Sequence, residues 1–146
     1  MNITADRVDF NKKKGFICDM DGVIYHGNQI LPGVVEFIQW LHDEKKEYLF
    51  LTNNSGYTPK DLNQKLARMG LDVPEEHFYT SALATAAFLK EQSPGCSAFV
   101  IGEAGLLNAL YDAGITMNDV NPDYVVVGEG RSYSLDTLTK ATNLVM

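Results

Sequence analysis

At 146 residues the chain is the usual size of one domain, and with 45% hydrophobic and 21% charged residues it has the balance of a folded globular protein. Twelve Lys and Arg against 19 Asp and Glu leave a net charge of −7, which argues against nucleic acid as the main partner, because a polyanion selects a basic face. No apolar run approaches the ~18 residues that a membrane helix needs, so no membrane partner is expected.

Residues 1–14 form a polar leader without the apolar stretch of a secretory signal. After it, Gly15-Phe16-Ile17-Cys18 reads as a strand buried on both faces, and it ends abruptly in Asp19-Met20-Asp21-Gly22. Three glycines and a proline between Gly22 and Gly33 mark a loop or short hairpin. Val34, Val35, Phe37, Ile38 and Leu41 recur at helical spacing and predict a helix to about Lys46. Tyr48 to Leu51 is the next strand, closing in Thr52-Asn53-Asn54-Ser55-Gly56. Thr58-Pro59 starts a helix with a capping hydroxyl and a proline in the first turn; Leu62, Leu66 and Met69 are its apolar stripe, and Gly70 stops it.

Phe78-Tyr79-Thr80 predicts a short third strand, and Ser81 is the expected cap of a helix through Ala82, Thr85, Ala86 and Leu89. From Ala98 the rhythm repeats. Phe99 to Ile101 is a strand, Leu106, Leu107 and Leu110 mark a helix closed by Gly114, and Tyr124 to Val127 is another strand. Ser134 caps a last helix carrying Leu135, Leu138 and Val145, whose apolar pattern reaches Met146 without a stop signal, so a truncated chain is expected. Strands alternating with helices of this length predict an α/β fold with a largely parallel sheet. Cys18 and Cys96 stand far apart with no metal-site spacing, which favours a reducing compartment and a cytoplasmic location.

The chemistry gathers at two strand ends. Asp19 and Asp21, two residues apart on extended chain, point to the same side. They stand at the carboxyl end of a parallel strand, where α/β sheets place ligands. Two converging carboxylates repel, and a divalent cation is the natural way to keep at least one of them ionised. Gly22 then lets the chain turn sharply. Thr52-Asn53-Asn54 ends the neighbouring strand with a hydroxyl, an amide and backbone N–H groups, the makings of a phosphate-sized anion site.

Together Cys18-Asp19-Met20-Asp21-Gly22-Val23 and Leu51-Thr52-Asn53-Asn54 resemble the haloacid dehalogenase-like (HAD) phosphatase superfamily, and most nearly its NagD-like, 4-nitrophenylphosphatase-like branch. The resemblance continues through Leu31-Pro32-Gly33, Val73-Pro74, Phe78 to Ala82, Val100 to Glu103 and Asn121 to Gly128. It implies a Rossmann-like parallel sheet of the HAD core over residues 15–94, and the first half of an inserted α/β cap over 95–146. In that family Asp19 would be the nucleophile and Asp21 the general acid and base. The Asp19 side chain and the main-chain carbonyl of Asp21 would ligate Mg²⁺, and Thr52, Asn53 and Gly22 would hold the phosphoryl group.

The family also needs a lysine and a second acidic motif after the cap, and neither is recognisable here; Lys90 and Lys140 read as surface residues. The expected function is therefore Mg²⁺-dependent hydrolysis of a small phosphorylated metabolite, a nucleotide or sugar phosphate, through an aspartyl-phosphate. An incomplete, non-catalytic fragment that binds phosphate or a partner chain is the first alternative. A glycosyltransferase using Asp-x-Asp to hold a metal is the second, although such enzymes lack the Thr-Asn-Asn strand end. A halved core sheet left with one open strand edge and one uncovered apolar face also predicts self-association into a homo-oligomer.

Overall fold

The computed structural model describes residues 8–131 and 133–146, so residues 1–7 of the expected leader lie outside it. Strand β1 (Gly15–Asp19), helix α1 (Val34–Asp43), strand β4 (Glu47–Thr52), helix α2 (Pro59–Arg68) and strand β5 (Phe78–Thr80) build the first unit, with the two-residue strands β2 (Tyr25–His26) and β3 (Gln29–Ile30) as a small hairpin. β1, β4 and β5 form one parallel sheet in that order, with Cys18 opposite Phe50 and Phe50 opposite Phe78. The expected boundaries hold except that α1 stops at Asp43, three residues early. The cap of α2 is a capping box. The Thr58 hydroxyl accepts from the Asp61 N–H at 3.1 Å while the Asp61 carboxylate accepts from the Thr58 N–H at 2.9 Å, an arrangement worth about 1 kcal/mol.

Both crossover helices lie on one face of this sheet. Val34, Ile38 and Leu41 of α1 and Leu62 and Leu66 of α2 pack with Met20, Tyr48, Phe50 and Phe78 in a single cluster. The opposite face carries Ile17, 71% exposed, with Leu51 and Tyr79 beside it at 37% and 39%. The expectation that β1 is buried on both faces is therefore wrong, because no helix among the described residues covers the Ile17 side. β1 also pairs only with β4 among the described residues, leaving its outer edge open. An open edge beside an apolar face favours association. The chain should elute from gel filtration larger than a 146-residue monomer and increasingly so with concentration. Ile17→Lys should reduce the effect; concentration-independent monomeric elution would refute it.

The second unit is another parallel sheet, ordered β7-β6-β8, made of β6 (Ser97–Ile101), β7 (Thr116–Met117) and β8 (Tyr124–Val127). Its helices are α3 (Ser81–Gln92), α4 (Ala104–Asp112) and α5 (Leu135–Val145). Ala82, Ala86 and Leu89 of α3 pack with Leu106, Ala109 and Leu110 of α4 and with Cys96, Ala98 and Ile115. So α3, grouped with the first segment on sequence, buries its stripe in the second. Its cap is Thr80 rather than Ser81, since the Thr80 hydroxyl accepts from the Leu83 N–H at 3.2 Å. The expected stripe of α5 is mostly uncovered: Ala141 is its buried residue, while Leu135 is 80% and Leu138 43% exposed. No helix among the described residues is long and apolar enough to cross a membrane.

Candidate active site

The parallel pairing of β1 and β4 brings their carboxyl ends to one edge of the first sheet, with Asp19 opposite Leu51 and Thr52 one residue further on. Met20 is fully buried between exposed Asp19 and exposed Asp21, so the alternation carries past the end of β1 and sends both carboxylates outward. The Met20 N–H donates to Asp19 Oδ1 at 2.7 Å, which steadies the carboxylate and leaves its second oxygen free. Beyond Asp21 the chain turns through Gly22, whose φ of 77° lies in the left-handed region that side chains disfavour. The Gly22 N–H donates to the Tyr25 carbonyl at 2.8 Å. Gly22 therefore serves the turn, and in this arrangement its amide is engaged by the Tyr25 carbonyl.

The turn delivers a residue that sequence reasoning missed. Tyr25 is buried at 3% exposure beside the acids. Burial first, then the nearby carboxylates of Asp21 and Asp19, hold its phenol well above the ordinary tyrosine range. It is a neutral hydroxyl that can donate to the Asp21 carboxylate. Half-buried Lys65 of α2 lies with its Nζ 4.0 Å from the Tyr25 ring centroid and 5.7 Å from that of Tyr57. The signal was present in Asp21-Gly22-Val23-Ile24-Tyr25, an aromatic at the far end of a tight turn, but only the fold shows which way the ring faces.

On the β4 side, Thr52 is buried at 6% exposure and its hydroxyl accepts from the Asn54 N–H at 3.1 Å. That backbone donor, expected to be free for an anion, is already engaged, although the Thr52 hydroxyl proton remains available to donate. Asn53 is exposed, while its carbonyl accepts from the Ser81 hydroxyl at 2.8 Å. The structure thus gathers Asp19, Asp21, Thr52 and Asn53 at one sheet edge. Lys140 is paired with Asp119 at 2.7 Å on the second unit, and Lys90 is exposed. A cavity of about 400 Å³ opens between the two units, lined among others by Tyr57, Glu103, Glu129 and Arg131. Cys18 faces the first core cluster, where burial pushes its thiol up.

The donor chemistry fits Mg²⁺. Asp19 and Asp21 offer hard oxygen ligands, and this cation is commonly held by one or two carboxylates together with substrate phosphate and water. Among the described residues no cluster of three or more His, Cys, Asp or Glu could hold a metal, so the pair would supply only part of a shell.

The profile of a family described as "Haloacid dehalogenase-like hydrolase" matches residues 16–116. A dihydroxyacetone phosphatase of Corynebacterium glutamicum is 47% identical over 131 residues, 90% of this chain and 48% of that protein. The ribonucleotide monophosphatase NagD of Escherichia coli is 48% identical over 132 residues, 90% of this chain and 52% of that protein. The solved structure of Escherichia coli NagD superimposes with a TM-score of 0.86 at 47% identity, over 91% of this chain and 53% of that one. A glycerol phosphate phosphatase of Mycobacterium tuberculosis, solved in complex with magnesium, gives 0.82 at 26% identity over 91% and 41%. The chain spans about half the length of the curated relatives it matches. With more than half of its residues inside the family profile and its two acids at the carboxyl edge of the first strand, the chain belongs to the haloacid dehalogenase-like hydrolases.

Proposed function

We propose that this chain carries the nucleophile half of a Mg²⁺-dependent phosphomonoesterase acting on a small phosphorylated metabolite, with a nucleotide or sugar phosphate as the substrate class. The observation that carries it is the pair of exposed carboxylates, Asp19 and Asp21, set at one sheet edge beside the buried Thr52 hydroxyl. Relatives named as phosphatases support the reaction class, and a relative solved with magnesium supports the cation. Residues 15–94 are proposed as the core segment and 95–146 as the first half of a cap. Two free cysteines support a cytoplasmic location.

A free oxygen of Asp19 attacks phosphorus, the bond to the leaving oxygen breaks, and Asp21 delivers its proton to that oxygen. Water then attacks the phosphorus of the aspartyl-phosphate, Asp21 takes the water proton, and the bond to Asp19 breaks to release phosphate and restore the carboxylate. The Thr52 hydroxyl and the Asn53 amide hold phosphoryl oxygens, and the Tyr25 hydroxyl keeps Asp21 oriented. Mg²⁺, held by the Asp19 carboxylate and the Asp21 main-chain carbonyl, would supply positive charge against the transferring group.

The test replaces Asp21 by Asn in a protein that contains this segment. The carbonyl for the cation stays and the acid is lost, so Mg²⁺ binding should survive while turnover of an alkyl phosphate falls by ~10²-fold or more. Nitrophenyl phosphate, whose leaving group needs no proton, should show a smaller loss in a single-turnover assay of the first step. Equal losses for both substrates in that assay would remove Asp21 as the acid. Phosphate binding without any turnover would support a non-catalytic binding fragment instead.

A further inference from the structure

β4 leads into a loop, residues 53–57, whose polar groups are answered largely by the second unit. The Asn53 carbonyl accepts from the Ser81 hydroxyl at 2.8 Å, and the Gly56 carbonyl accepts from the Gly105 N–H at 3.0 Å. The buried Ser55 hydroxyl accepts from the Glu129 N–H at 2.8 Å. Asn54 ties the loop to itself and to the second unit. Its Oδ1 accepts from the N–H groups of Gly56 and Tyr57 at 2.9 and 3.0 Å, and its Nδ2 donates to Glu129 Oε2 at 2.8 Å.

Gly105 allows this seam to close at backbone distance. A Cβ at Gly105 would stand 2.6 Å from the Tyr57 carbonyl oxygen and 2.7 Å from that of Ser55. One at Gly128 would meet side chains instead, 2.6 Å from Leu106 Cδ2 and 2.8 Å from the Ser55 hydroxyl. Only a residue without a side chain fits between two backbones that close.

We infer that the loop after Thr52 is held in shape by the second unit, with Glu129 a positioning residue that acts through Asn54 and Gly105 the contact that lets the units meet. The second asparagine of Thr52-Asn53-Asn54 is then a latch and not an anion ligand. The loop's part in phosphoryl binding rests on the proposed function; its dependence on the second unit does not.

Amide hydrogen exchange on this chain tests the inference. In Glu129→Ala, the Gly56 and Tyr57 amides should exchange at least fivefold faster than in the unaltered protein, while amides of α1 keep their rates. Glu129→Gln retains an acceptor for Asn54 and should restore the slower rates. Gly105→Ala should open the same amides further, and if it does not fold, the Glu129 pair still decides. Unchanged Gly56 and Tyr57 rates in Glu129→Ala, or the same acceleration throughout the chain, would overturn the inference.

Inorganic phosphate titrated with Mg²⁺ supplies the functional arm, and its affinity should fall severalfold in Glu129→Ala and recover in Glu129→Gln. Affinity unchanged by a loosened loop would sever the loop from the site and overturn that part. Failure of phosphate to bind the unaltered protein would remove the proposed function and leave the exchange result standing.

Discussion

Asp19→Asn, made in a protein that contains this segment, should lower phosphomonoester hydrolysis at least a thousandfold, equal to about 4 kcal/mol of barrier. The substitution removes the one oxygen nucleophile proposed to attack phosphorus and replaces it with an amide that does not. Folding gives no competing explanation, because Asp19 is exposed at the end of β1 and its contact with the Met20 N–H, 2.7 Å from Oδ1, can be kept by the asparagine oxygen. Removing one of two neighbouring carboxylates also relieves repulsion with Asp21, so thermal stability should hold or rise slightly. The measurement is kcat with nitrophenyl phosphate at saturating Mg²⁺, alongside the unfolding midpoint of each protein. Activity within about tenfold of the unaltered enzyme, roughly 1.4 kcal/mol, would end the covalent mechanism.

Phe50→Ala should cost about 3–5 kcal/mol of stability. Phe50 is completely buried on the central strand of the first sheet, with Cys18 and Phe78 opposite it in register. Its ring centroid lies 5.5 Å from that of Tyr48 and 6.0 Å from that of Phe78, so truncation opens a cavity at the middle of the aromatic packing. Small domains hold only about 5–15 kcal/mol in total, so this loss is a large share of it. Thr52 follows two residues later on the same strand, and the candidate site should be lost with the core. Leu51→Ala is the control, since Leu51 is 37% exposed on the uncovered face and should cost less than about 1 kcal/mol. Urea unfolding of the three proteins decides it, and equal losses at the two positions would mean that the face assignment is wrong.

Much of this molecule can be read along the chain. The acids of Asp19-Met20-Asp21-Gly22, the cap at Thr58-Pro59 and the strands about Tyr48, Phe78, Phe99 and Tyr124 all stand where local pattern places them. Such signals work because alternation, capping and turn formation depend on residues a few positions apart. β7 escaped because two residues are too short to show a period. Tyr25 escaped because a buried aromatic in a hairpin looks like any core residue until its neighbours are known.

Local pattern was enough for the alternation of strands and helices, for two acids and a threonine at neighbouring strand ends, and through them for the family. The fold was needed to show that Ile17, Leu51 and Tyr79 are the residues of the uncovered face, that α3 gives its stripe to the second unit, and that Asn54 binds Glu129 across the seam. The physical reason is range. An apolar stripe such as Ala82, Ala86 and Leu89 states that a helix must be buried, and hydrophobic burial is non-directional, so the stripe does not say against what. That choice is made by contacts between residues as far apart as Asn54 and Glu129, and it exists only once both surfaces have formed.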